Sequence, residues 1–240
     1  MTTLTKYIIG LILGLMMFSC QFDMNFGVRG NGNVETIERD LNGTFDEIEV
    51  SRGLDVYLTQ GSEVFLEVEA DENLHDIIVT KIEGNTLKIY ADDNISYSAS
   101  KSVFVSVPDL SRIEATSGSD VIGKNTFKVD DIEIETTSGS DLELDIEATN
   151  VRCSATSGSD LRLSGTADKL IASATSGSDI KASRLETKIC EAKATSGADI
   201  TVHTSDELIA KASSGGDVKY YGSPSKVETS DGVSGSVTKQ

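Results

Sequence analysis

The 240-residue sequence contains no tryptophan, only two histidines, and 21 basic residues against 39 acidic ones. The formal net charge of −18 repels phosphate backbones and anionic lipid surfaces, which excludes nucleic acid as a partner. His75 and His203 lie far apart without a recognisable motif around either, so both are predicted to be solvated. The sequence also has no G-x-S-x-G, H-E-x-x-H or P-loop pattern, and we therefore assign no catalytic residue.

The N-terminus has the features of an export signal. Lys6 precedes an apolar run over residues 7–18, which is too short for an ordinary membrane-spanning helix. Ser19-Cys20 after this run resembles the lipobox of bacterial lipoproteins, although Met17 replaces the usual Leu or Val. Residues 1–19 are therefore predicted to be a lipoprotein signal peptide and Cys20 the lipidated residue that anchors the chain to a membrane. A conventional signal peptide with an incidental cysteine is the alternative.

This prediction places the protein in the cell envelope, at the outer membrane of a Gram-negative bacterium. Residues 20–33 are rich in Gly and Asn, and we expect them to form a flexible tether.

One seven-residue motif recurs six times in the second half of the chain. Its glycines are separated by about 20 residues, a spacing typical of arrays in which each unit buries its apolar face against its neighbours. The copies are ATSGSDV from Ala115, TTSGSDL from Thr136, ATSGSDL from Ala155, ATSGSDI from Ala174, ATSGADI from Ala194 and ASSGGDV from Ala212.

The residues around each glycine alternate with period two, as half-buried strands do. Around Gly158, the template predicts that Cys153, Ala155, Leu161 and Leu163 point inward. The glycine permits positive φ at a corner between two strands, and the serine before it is expected on the inside of that corner. The same template fits Gly53 and, in degenerate form, Gly232. Stacked units of this kind predict an all-β fold, a right-handed parallel β-helix or β-solenoid.

The template divides the exported chain into three regions. Residues 34–108 form an N-terminal β region of elaborated solenoid layers, with an inserted hairpin that turns at Gly84-Asn85. Residues 109–222 form the repeat solenoid, and residues 223–240 a polar C-terminal cap or tail. Only residues 71–77 have the composition for a short helical turn. Because solenoid ends expose unpaired strand edges, homo-oligomers are a further expectation.

The repeats resemble those of a bacterial family called putative auto-transporter adhesin, head GIN domain. The segments FDEIEV from Phe45, VYLTQG from Val56, VEADENL from Val68 and LKI from Leu87 carry the same resemblance, which covers about residues 44–225. The resemblance implies a β-helical exported protein with an adhesive or envelope role. It implies no catalytic residues.

An aspartate two residues after each repeat glycine forms the most distinctive chemical pattern. We expect each carboxylate to accept backbone N–H groups of its own turn. A ladder that binds Ca²⁺ is the alternative, because hard cations favour clustered oxygens and the fragment resembles calcium-binding β-rolls. Those rolls repeat every nine residues and have paired glycines, which this sequence lacks. The candidate residues are Asp120, Asp141, Asp160, Asp179, Asp199 and Asp217.

Two further files of residues are predicted by the stack. Outward-pointing Thr116, Thr137, Thr156, Thr175 and Thr195, followed by Ser213, are expected to be strand formers on a flat face. Cys153 and Cys190 should lie two layers apart, which is too far for a disulfide, and we expect both to be buried thiols.

The sequence thus predicts a lipid-anchored envelope protein that binds a protein or glycan partner through its surface, as an adhesin or scaffold, without catalysis. A carbohydrate-active β-helical lyase or hydrolase is one alternative, which would need a cleft with basic residues, paired acids and aromatic platforms. A calcium-dependent binding module is another.

Overall fold

A computed structural model describes residues 27–240, and the predicted signal peptide, Cys20 and residues 20–26 of the predicted tether lie outside that range. The described chain is a parallel β-solenoid of about seven turns. A single 3-10 helix, Glu72–Leu74, lies within the segment predicted to form a helical turn. No helix among residues 27–240 is long and apolar enough to cross a membrane.

Residues 27–240 form eighteen strands, sixteen in one sheet and two in a separate small sheet. They are β1 (Val28–Arg29), β2 (Val34–Glu38), β3 (Glu47–Val50), β4 (Asp55–Gln60), β5 (Phe65–Asp71), β6 (Ile78–Glu83), β7 (Thr86–Ala91), β8 (Ile95–Tyr97), β9 (Lys101–Val107), β10 (Arg112–Ala115), β11 (Asp120–Thr137), β12 (Asp141–Thr156), β13 (Asp160–Thr175), β14 (Asp179–Thr195), β15 (Asp199–Ser213), β16 (Asp217–Tyr221), β17 (Lys226–Asp231) and β18 (Ser236–Lys239).

Strands β11 to β15 each run through nearly a whole turn and pair in parallel with the next turn. Asp141 pairs with Asp160 and Thr156 with Thr175, so equivalent residues of successive repeats lie directly above one another. The predicted inward positions are confirmed, because Cys153, Ala155, Leu161 and Leu163 are all at most 2% exposed. The core is therefore a set of vertical apolar files inside the stack.

Both predicted core cysteines are buried free thiols. Burial raises the pKa of the Cys153 thiol far above its ordinary value, and it raises the pKa of Cys190 to about 12. Neither thiol is therefore ionised at neutral pH, so both act as small apolar side chains.

The corner of each repeat differs in one respect from the sequence prediction. Ser157 and Gly158 have φ values of 57° and 71°, the pair of positive angles that a type I′ turn requires. This turn leaves Ser157 exposed and directs the side chain of Ser159 into the corner, where it is fully buried. The prediction that the serine before the glycine lies inside is therefore wrong, and the serine after the glycine takes that place.

The buried serine links adjacent layers. The Ser159 hydroxyl accepts a hydrogen bond from the backbone N–H of Thr156 at 3.1 Å. It can donate to the Thr136 carbonyl of the preceding layer at 3.0 Å. Ser178 makes the equivalent contact with the Ala155 carbonyl at 2.8 Å. Each hydroxyl thus satisfies buried backbone groups at a point where the strands are interrupted.

The N-terminal layers interrupt the parallel pattern. Strands β3, β4 and β10 occupy regular layers, whereas the hairpin β6–β7 is antiparallel and turns at Gly84-Asn85 as predicted. Strand β2 pairs antiparallel with β5 at the end of the stack. Antiparallel edge strands therefore close the end from which the chain enters the solenoid.

The predicted tether is wrong for residues 28–33. Strand β1 pairs with β8, and the buried carboxylate of Asp71 accepts hydrogen bonds from Gly32 N, Ala99 N and Ser100 N at 2.8–3.0 Å. Burial alone would raise the Asp71 pKa, but these backbone N–H groups lower it below its ordinary value. The N-terminal segment is thus fixed to the first layers.

The C-terminal tail forms a last partial layer. Strand β17 pairs with β15, and β18 pairs with β16 so that Val237 lies on Val218. This register puts Ser234, with φ 58°, at the corner. The predicted template centred on Gly232 is therefore displaced by two residues.

Replacing Ser159 with alanine should lower the free energy of unfolding by about 1–3 kcal/mol, because the Thr156 N–H would lose its buried acceptor. Ser157→Ala, at the exposed position of the same corner, is the matched control and should change stability by less than about 0.5 kcal/mol. Urea unfolding of both variants provides the measurement. Equal losses would contradict the structural role of the buried hydroxyl.

Candidate binding surface

Several open grooves lie on the surface of the described chain. One groove of about 470 Å³ is lined by Asp131, Asn150, Arg152 and Lys169, among other residues, and it is open to solvent. On the outer faces, residues at equivalent positions of successive layers form rows, which we call files. These files are the candidate functional features.

The predicted aspartate file exists and includes one more member. Asp55 pairs with Asp120, and the file continues in register through Asp141, Asp160, Asp179, Asp199 and Asp217. Adjacent carboxylates are thus about one strand spacing apart, roughly 4.8 Å. Repulsion along such a file requires compensation.

Basic side chains provide that compensation. Arg162 contacts Asp160 at 2.9 Å and Asp141 at 3.9 Å, and Lys181 bridges Asp160 and Asp179 at 3.4 and 3.2 Å. Of the six candidate carboxylates, Asp160 and Asp217 accept hydrogen bonds from side chains. In the described part of the chain none of the six accepts a backbone N–H, so the predicted bonds to turn amides are not formed. Among residues 27–240 no group of three or more His, Cys, Asp or Glu side chains is arranged to hold a metal ion.

The threonine file is also in register from Thr137 through Thr156, Thr175 and Thr195 to Ser213. Its hydroxyls contact the exposed corner serines at 3.3 to 3.5 Å, as in Thr137–Ser138 and Thr175–Ser176. The result is a flat face of short polar side chains beside the corners.

An aromatic cluster on the outer face was missed by sequence reasoning. Tyr57 and Phe104 stack with ring centroids 5.0 Å apart and 20° between planes, and the Lys124 ammonium lies 4.9 Å from the Tyr57 centroid. Ile122 pairs with Tyr57 on the next strand. Because the Tyr57 ring has a neighbour on both faces, it is not free to act as a stacking platform for a sugar.

A charge-graded file four residues before each glycine was also missed. It begins with Lys88 and continues with three glutamates, two serines, two lysines and a final serine, which are Glu49, Glu114, Glu135, Ser154, Ser173, Lys193, Lys211 and Ser230. The template contained the signal, since these residues share one position in every repeat. We refer to them as the graded file.

The histidines are not brought together into a site. His203 is a partly buried residue of β15. His75 is only 8% exposed, with Nε2 3.1 Å from the Glu35 carbonyl oxygen, so the prediction that it is solvated is wrong. The Nδ1 atom of His75 has no hydrogen-bond partner in the described part of the chain.

Asp120→Asn should raise the free energy of unfolding at pH 7 by less than about 1 kcal/mol. Burial, then Asp55 and Asp141, raise the pKa of Asp120, so its charge is less favourable in the folded state. The wild-type penalty grows as pH rises through this raised pKa, and the advantage of the variant should vanish below the ordinary aspartate pKa.

Asp160→Asn is the matched control, and it should lower stability at pH 7 because Arg162 and Lys181 lose a charged partner. Denaturant unfolding between pH 3 and 8 measures both variants. A loss of stability in Asp120→Asn would show that the file is compensated along its whole length.

Comparison with known proteins agrees with this architecture. A putative adhesin from Bacteroides fragilis, known from a crystal structure, has 21% sequence identity to this chain and a TM-score of 0.82. The alignment covers 89% of this chain and 100% of that one. A putative lipid binding protein from Parabacteroides distasonis is 25% identical, with a TM-score of 0.74, over 89% and 99% of the two chains. A putative adhesin from Parabacteroides merdae is 20% identical, with a TM-score of 0.72, over 89% and 98%.

Curated proteins yield no match to this sequence. The family model described as putative auto-transporter adhesin, head GIN domain, matches residues 44–224, which is most of the chain and confirms the resemblance seen in its repeats. The protein belongs to the putative auto-transporter adhesin, head GIN domain family.

Proposed function

We propose that the protein is a lipid-anchored envelope protein that acts as a non-catalytic, adhesin-like binding surface. The observation that carries this proposal is the set of outward files, in which one residue type recurs on successive layers about 4.8 Å apart. A surface of this kind offers the same contact many times. Weak contacts made together give a strong attachment without any deep site.

Family membership and the similar structures support an adhesin-like or lipid-binding role. The adhesin-like role is favoured because core side chains such as Leu142, Leu161 and Ile180 fill the interior of the described layers, each at 0% exposure. An acyl chain would therefore have to bind on the outside of the stack. The partner on this outer surface is a protein or a glycan.

The anchor is the second part of the proposal. Val28 begins the described fold eight residues after Cys20, so a lipid on Cys20 would hold the N-terminal layers within about 28 Å of the membrane. The repeat layers would then extend the files outward. Cys20→Ser should move the protein from the membrane fraction to the soluble fraction, and protease treatment of intact cells would show which side of the outer membrane it faces.

Binding and turnover should be measured together. Beads that carry the chain from Cys20 onward are offered bacterial cells, matrix proteins and a panel of polysaccharides, and new reducing or unsaturated ends are assayed in the same samples. The proposal predicts retention of at least one target without new ends. A variant with Thr137, Thr156 and Thr175 changed to Lys alters the flat face while leaving the core files intact, and it tests whether that face makes the contact.

Release of sugar ends would replace the proposal with the carbohydrate-active alternative. Retention that disappears on addition of a chelator would favour the calcium-dependent alternative.

A further inference from the structure

The graded file separates charge along one flat face of the solenoid. After Lys88, three layers carry carboxylates, the next two carry serines, and the following two carry lysines, all in register on adjacent parallel strands. The acidic end lies on the N-terminal layers and the basic end near the C-terminus. The graded file therefore has opposite charges toward its two ends and short side chains in the middle.

The two ends differ in how their charges are satisfied within the chain. Arg112 contacts Glu114 at 3.1 Å and Glu135 at 2.9 Å, while Lys88 contacts Glu49 at 3.3 Å. These two cations face a group of five carboxylates, which also includes Glu47 and Glu133, so the acidic end keeps a net negative charge. Burial raises the pKa of Glu114, and Glu135 and Glu49 raise it further while Arg112 lowers it.

The basic end has no such partners. Lys193 and Lys211 are exposed, and neither forms an ion pair with any residue in the described part of the chain. The nearest carboxylates of the neighbouring file, Glu191 and Glu228, are paired with Lys169 and Lys226. Two ammonium groups thus stand one above the other, free to meet an acidic surface.

The spacing of these charges is self-complementary. If a two-fold axis runs along the strand direction between the layers of Ser154 and Ser173, a second copy lies face to face with its solenoid axis reversed. Glu135 and Lys193 then lie on opposite sides of the two-fold axis, each about one and a half layers away from it. Glu135 of one copy therefore faces Lys193 of the other. Glu114 and Lys211 match in the same way at about two and a half layers, or roughly 12 Å.

The middle of the graded file permits close approach. Ser154, Ser173, Thr156 and Thr175 are short and occupy the layers next to the two-fold axis, while the exposed Arg152 of the neighbouring file would lie against Ile171 of the second copy. In the neighbouring file the same operation opposes Glu133 to Glu191 of the second copy, but Arg112 lies 3.9 Å from Glu133 and Lys169 lies 2.7 Å from Glu191. Parallel stacking would instead oppose like charges along the whole graded file, so the charges select the antiparallel arrangement.

The available area indicates a weak contact. Seven layers span about 29 Å and three outward positions along a strand span about 13 Å, so each copy would bury roughly 400 Å². A total near 800 Å² is below the roughly 1,000 Å² expected of a stable specific interface, so a single pair would be weak and transient. Many copies on one surface would be needed for firm attachment.

We propose that the graded file binds a second copy of this chain in the antiparallel arrangement. In this pair the two N-termini lie at opposite ends, so copies anchored through Cys20 on two facing membranes would be suited to it. The inference rests on the proposed adhesin-like function and names a partner for it, the same protein on another cell.

The test uses beads of two colours coupled through Cys20. Wild-type beads should aggregate in low salt and disperse in 1 M NaCl, where the screening length is about 3 Å. Lys193→Glu with Lys211→Glu makes all four paired positions of the file acidic, and Glu114→Lys with Glu135→Lys makes all four basic. Neither double variant should aggregate alone, with a loss of about 100-fold or more in affinity by sedimentation, but a mixture of the two should aggregate.

Lys188→Glu with Lys219→Glu makes the same charge change elsewhere on the surface and is the control expected to aggregate normally. If the Glu→Lys variant fails to fold, Glu114→Gln with Glu135→Gln should still weaken aggregation. Aggregation that survives Lys193→Glu with Lys211→Glu, or that the mixture fails to restore between folded variants, would overturn the inference. Retention of cells or glycans in the earlier assay is scored separately, so that the proposed function can stand if self-association fails.

Discussion

In-register parallel pairing between successive turns is the constraint on which this structure depends. Because Asp141 lies on Asp160 and Thr156 on Thr175, every position of the repeat becomes a continuous file along the stack. Inward files fill the core with Leu, Ile and Ala, and outward files determine the polarity and charge of each face. The same constraint opposes like charges, which repel. The aspartate file tolerates this because Arg162 and Lys181 lie beside it, and because the file remains partly solvated.

The corner is what allows each layer to repeat without a gap. Two consecutive positive φ angles at Ser157 and Gly158 reverse the chain within two residues, and the next side chain then faces inward. At that point a hydroxyl is better than a methyl group, because backbone N–H and carbonyl groups are exposed at the break between strands and need partners. Ser159 provides them and connects two layers. The solenoid accepts Ala198, which is fully buried, at the corresponding corner near its C-terminal end.

Most of the fold follows from local patterns in the sequence. Period-two alternation predicts the inward residues around Gly158, and Gly84-Asn85 predicts the hairpin between β6 and β7. The failures have a common cause, which is contact between residues distant in sequence. Asp71 accepts a hydrogen bond from Gly32, 39 positions away, and His75 is buried against the Glu35 carbonyl group. Neither contact leaves a periodic pattern in the sequence. The graded file was predictable in principle, since its members share one template position, but its meaning depends on comparing charges across layers.

The family assignment and the stacked architecture together make a surface-acting protein the simplest account, and both proposed contacts use files that exist only if the layers are stacked in register. The most direct measurement is the distance between spin labels at Asp120→Cys and Asp217→Cys in a Cys20→Ser chain, where the buried thiols of Cys153 and Cys190 resist labelling. Five layer spacings separate these positions, so the account predicts a narrow distribution near 24 Å between backbone sites. A broad distribution, or a mean beyond about 35 Å, would contradict the stack.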